Sequence, residues 1–130
     1  MLELKNQVTD LETSKLFKKL GLSQNSHFYW CCFANQYSLF HPDEKNDNRD
    51  YPSDFWLLKD LQDKKLAFSA FSASELFELL PPATNVIKRQ IYGDFCCSVY
   101  YSNNVNKHSI GNTLIEALAN MLIDIMENLK

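Results

Sequence analysis

The chain has 130 residues, 45% of them hydrophobic and 22% charged, with a formal net charge of −3. Such values predict one soluble globular domain, residues 1–130, burying roughly two-thirds of the surface it exposes when unfolded. The mild acidity argues against direct nucleic-acid binding, which needs a basic footprint, and is too weak for a polyanion mimic.

The opening segment, Met1 through Gln7, has no basic stretch leading into an apolar run, so no export signal is predicted and the protein is expected in the cytoplasm. Thr9-Asp10-Leu11-Glu12 then reads hydroxyl-x-x-Glu ahead of an apolar pattern of helical period. In a capping box the hydroxyl accepts from the amide of the third helical residue, and the Glu reaches back to the amide of the cap. The spacing predicts a helix over residues 10–20, with Thr13, Leu16, Phe17 and Leu20 on one stripe. Lys15, Lys18 and Lys19 fall largely outside that stripe, and Gly21 supplies a left-handed stop.

His27-Phe28-Tyr29-Trp30-Cys31-Cys32-Phe33 carries aromatic or small apolar residues on both faces, the pattern of a covered strand, and residues 37–40 form a plausible partner. Residues 41–54 contain Pro42, Pro52 and five acidic side chains and read as an exposed loop. Residues 55–58 fit a strand or a short helix equally, 59–65 read as a charged turn, and 66–71 as a short strand.

Ser72-Ala73-Ser74-Glu75 is a second capping box, opening a helix over 73–80. Ala73, Leu76, Phe77 and Leu80 make its apolar stripe, and Pro81-Pro82 ends it. Segments 86–92 and 95–101 flank Gly93-Asp94 as a two-residue hairpin, followed by a polar loop at Asn103, Asn104 and Asn106. Thr113-Leu114-Ile115-Glu116 is the third box and opens a helix over 114–129.

That last helix has a narrow polar stripe of Glu116, Asn120, Asp124, Glu127 and Asn128, which also rules it out as a membrane span. The rest is apolar, a wider arc than one buried face needs. Either the first helix flanks it or the chain forms a homodimer, with Ile115, Ile123 or Met126 in the interface.

The search for chemistry is mostly exclusion. Three glycines leave no phosphate-cradling loop, and no nucleophile elbow is present. Asp43, Lys45 and Asp47 mismatch a calcium loop. His27, His41 and His108 match no zinc spacing, so no metal, cofactor or catalytic residue is assigned. Cys31-Cys32 and Cys96-Cys97 are adjacent pairs and read as reduced core residues, a cross-strand bond between the pairs being the other geometry. A small enzyme pairing Cys31 or Cys97 with His108 is the alternative functional reading. Tyr51, Phe55, Trp56, Tyr100 and Tyr101 lie on or beside polar loops and are candidate anchors for a protein partner.

Three segments, residues 9–22 with the Tyr-Trp strand that follows, residues 70–81, and Ala117-Leu118-Ala119-Asn120-Met121-Leu122-Ile123, resemble in order and spacing small proteins of unknown function encoded by bacteriophages and prophages. The resemblance implies a phage or mobile-element origin and carries over no catalytic residue. The leading reading is a non-enzymatic phage protein acting by protein–protein contact on a host protein or itself, one version, resting on gene type and small size, being an anti-CRISPR-like inhibitor of bacterial defence. The expected fold is a two-layer α+β sandwich, with an antiparallel sheet of four to five strands and three helices mainly on one face.

Overall fold

The computed structural model describes residues 4–42, 54–89, 92–100 and 106–128. The fold is α+β, but the strands form two three-stranded antiparallel sheets instead of one, and the described residues hold four α-helices instead of three. The chain divides into two compact units, Asp10–Phe71 and residues 1–9 with 72–130.

In the first unit, α1 (Leu11–Lys19) is followed by β1 (Phe28–Phe33), β2 (Gln36–Phe40), α2 (Asp54–Asp63) and β3 (Ala67–Ala70), with strand order β2-β1-β3. The cap of α1 is Asp10, whose carboxylate accepts from the amide of Thr13 at 2.8 Å. Thr9, the expected cap, is buried one residue earlier. A carboxylate caps as well as a hydroxyl, so the box pattern was one residue out of phase. Gly21 takes a φ of +96° and ends the helix as expected.

The ambiguous segment 55–58 is helical, and the predicted charged turn continues that helix as far as Asp63. Leu58 and Leu61 of α2 pack with Tyr29, Cys31 and Ala67 into one core cluster. The other face of the sheet carries Tyr37 and Phe68, with the Lys15 ammonium 5.2 Å and 5.8 Å from their ring centroids. Lys18 lies 5.0 Å from the Phe68 ring, so both lysines lay their stems along an aromatic surface. Phe17 is fully buried, edge-on to Phe71 at 5.8 Å.

In the second unit, α3 (Ala73–Leu79), β4 (Thr84–Lys88), β5 (Phe95–Tyr100), β6 (Asn106–Gly111) and α4 (Leu114–Glu127) follow one another. The Ser72 box is complete: the hydroxyl accepts from Glu75, and Glu75 accepts from the Ser72 amide at 3.0 Å. Thr113 accepts from Glu116, but the Glu116 carboxylate reaches past the cap to the amide of Asn112. In α3, Leu76 and Leu80 are buried while Phe77, expected in the stripe, is exposed. Seven residues make only about two turns, too short a helix to bury the full stripe.

The sheet order is β4-β5-β6. The first hairpin closes through Arg89 and Asp94, whose backbones bond at 2.8 Å, so its loop is longer than the two residues expected. Strand β6 falls where the sequence predicts no strand. It carries one large apolar side chain, Ile110, and its inward positions are Lys107, Ser109 and Gly111. Those residues are small or polar because α4 lies directly over them. Lys107 donates to Asp124 at 2.9 Å, and a Cβ on Gly111 would stand 2.3 Å from the Ala117 nitrogen.

Helix α4 buries Ala117, Leu118, Ala119, Met121 and Leu122, while Glu116, Asn120, Asp124 and Glu127 face water as the stripe predicted. It packs on the β5–β6 side of the sheet, with α3 against its flank. Within its unit, the helix that flanks α4 is α3.

Candidate functional site

The two faces of the β4-β5-β6 sheet differ in cover. Cys97 and Val99 point toward α4 and are fully buried. Side chains alternate along a strand, so Cys96, Ser98 and Tyr100 point the other way. The register sets Ile87, Cys96 and Ile110 side by side in one cross-strand row, with Asn85, Ser98 and His108 in the next. A solvated antiparallel face is ordinarily polar. Here Ile87 is 62% exposed and Ile110 50% exposed, flanking a half-buried Cys96. Tyr100 lies further along the same face, 47% exposed.

The second row contains a short chain of polar contacts. The Ser98 hydroxyl is 2.8 Å from His108 Nδ1, and Cys96 Sγ is 3.9 Å from that hydroxyl. Ser98 is buried between them, whereas His108 is exposed. At the hairpin end, Arg89 grips Asp94 through two bonds, Nε to Oδ1 at 2.7 Å and Nη2 to Oδ2 at 2.5 Å. That hydrogen bonding holds the Asp94 carboxyl below its ordinary range and raises Arg89 above its own, the opposite charges adding to both shifts. The Arg89 guanidinium also stacks 4.5 Å from the centroid of the exposed Tyr92 ring.

The arrangement corrects one of the expected cysteine–histidine pairings: Cys97 lies on the opposite face of β5 from His108, and Cys96 is the cysteine on its side. Burial pushes the Cys31 and Cys97 thiols up to about 11, which keeps both protonated and inert. The two cysteine pairs also sit in different sheets, so they are not cross-strand neighbours; all four thiols are free. The signal for this cluster was the Cys96-x-Ser98 spacing, which places both side chains on one strand face. It needed the register of β6 to bring His108 alongside.

The remaining candidates are scattered. Phe55 and Trp56 sit in the first turn of α2, 47% and 56% exposed. Ile115, Ile123 and Met126 are half-buried along α4. Tyr51, Tyr101 and the acidic segment at Asp43, Lys45 and Asp47 lie outside the described residues. Among the described residues, no three His, Cys, Asp or Glu side chains converge as a bound metal requires. No helix among them is long and apolar enough to cross a membrane.

No family model, curated protein or solved structure matches this chain.

Proposed function

We propose that this chain acts by protein–protein contact, without catalysis, and that the outer face of the β4-β5-β6 sheet is the surface its partner covers. The carrying observation is the row of Ile87, Cys96 and Ile110, which breaks the inward-apolar, outward-polar alternation at its two exposed ends. Covering the part of the two isoleucines still exposed is worth about 1–2 kcal/mol each, enough for an interface contact. Tyr100 extends that face. Phe55 and Trp56 offer a separate aromatic contact on α2.

The partner is a host protein in the bacterial cytoplasm, and the chain an inhibitor of a bacterial defence system of the anti-CRISPR kind. That finer reading rests on small size and on the phage-type origin implied by the resemblance of residues 9–22, 70–81 and 117–123, and on no site residue. The test is plaque formation on hosts carrying defined CRISPR or restriction systems, with and without the chain. Protection of the phage should be lost in an Ile87→Asp, Ile110→Asp double variant that melts like the wild type. Equal protection by that variant would remove the outer face from the account. No protection in any system would remove the anti-defence role.

Self-association through α4 is a second contact, favoured by the half-burial of Ile115, Ile123 and Met126 beside fully buried neighbours. Sedimentation at micromolar concentration should show a dimer that Ile123→Glu converts to a folded monomer. A wild-type monomer of 15.1 kDa would mean that α3 alone suffices to flank the helix.

A further inference from the structure

We propose that Cys96 is a modification site, a thiol activated through Ser98 and His108 that exchanges with a small-molecule disulfide. The inference concerns the free chain, with the outer face uncovered, and its test does not depend on the identity of any partner. Two observations place the chemistry at Cys96 and at no other cysteine of the chain. Its side chain is half-buried on the outer sheet face, where Cys31 and Cys97 are fully enclosed. Its sulfur is 3.9 Å from the Ser98 hydroxyl, itself 2.8 Å from His108 Nδ1, so nucleophile, relay and base are in consecutive contact. Cys32, the other half-buried cysteine, faces Tyr37 across the β1–β2 ladder instead.

The geometry also selects the reaction. Displacement at sulfur needs a thiolate and a straight line of approach, which an open sheet face provides. With the imidazole proton on Nε2, Nδ1 accepts the Ser98 proton as the Ser98 oxygen takes that of Cys96. The thiolate attacks one sulfur of the disulfide, a protein–ligand S–S bond forms, and the ligand's own S–S bond breaks. The departing thiolate takes a proton back from the imidazolium. The net result is one mixed disulfide and one free thiol, with no outside oxidant beyond the disulfide. The product stands between Ile87 and Ile110, so the modification would cover the apolar row and change what can dock there.

The experiment incubates the reduced full chain with oxidised glutathione and follows each cysteine by peptide mass spectrometry. Cys96 should react about tenfold faster than Cys32, with Cys31 and Cys97 unmodified, as expected from thiolate access. His108→Asn keeps an acceptor near the Nδ1 position but cannot take a proton. It should slow Cys96 by about tenfold or more and leave Cys32 unchanged, the range of a lost general base. His108 is exposed, so this variant keeps the fold. Ser98→Ala should slow Cys96 similarly, and Ser98→Thr should restore the rate. Cys32 reacting as fast as Cys96, or His108→Asn reacting at the wild-type rate, overturns the proposal.

Discussion

Replacing Gly111 by Ala tests the packing that holds the outer face in place. The added Cβ would stand 2.3 Å from the Ala117 nitrogen and 2.7 Å from the carbonyl carbon and Cβ of Glu116. Ordinary contact begins at 3.4 Å, so the end of β6 and the first turn of α4 must separate by about 1.1 Å. Two of the three opposing atoms are backbone and the third is a Cβ, so no rotamer change relieves the overlap. Overpacking of this kind costs about 3 kcal/mol, the upper end of the usual range, because the backbone must move. Alanine also reduces the freedom of the unfolded chain, which returns about 0.4–1 kcal/mol. The net expectation is a loss of about 2 kcal/mol, or a urea midpoint lower by about 1 M at an ordinary slope. Gly21→Ala is the control: it has nothing within 4 Å and only the strain of its φ of +96°, so its loss should be smaller, about 1 kcal/mol. An unchanged or raised midpoint for Gly111→Ala would refute the close approach of α4 to β6.

The helix caps give a paired expectation. Ser72→Ala should cost about 1 kcal/mol and the exposed Ser74→Ala much less, as read from denaturant melts. At α1, Asp10→Ala should cost about 1 kcal/mol, while Glu12→Ala, whose only ion pair is a solvent-exposed one at 3.9 Å among the described residues, should change stability by less than about 0.5 kcal/mol. The buried thiols set an alkaline limit. Cys31 and Cys97 are raised from 9.0 to about 11, so the native state holds protons that the unfolded chain has released. Their contribution is fully present below pH 9 and is lost as pH rises through 11, and Cys31→Ala should show a shallower decline than the wild type in melts across that window. Iodoacetamide at pH 8 should label neither residue in the native protein, and labelling of either at the rate of Cys32 would contradict their burial.

Local signals carried much of the helical structure. The hydroxyl-x-x-Glu pattern placed α3 and α4 because a cap depends only on residues within one turn. The same pattern missed by one residue at α1, where Thr9 and Asp10 are both competent caps and the Asp10 carboxylate is the one that reaches the Thr13 amide. The polar stripe of α4 was legible for the same reason, since its period is internal to the helix. What the sequence could not carry was partnership. That β1 pairs with β2 and β3, while β4, β5 and β6 form a separate sheet, depends on contacts between residues far apart in the chain. Strand β6 has no apolar alternation because its inner positions were shaped by the helix above them, as Lys107 and Gly111 show. The outer-face cluster follows from that strand. Cys96 and Ser98 share a face by the two-residue period of a strand, but only the β5–β6 register brings His108 beside them. Register is a long-range choice, and a single residue of slip would have turned His108 toward α4.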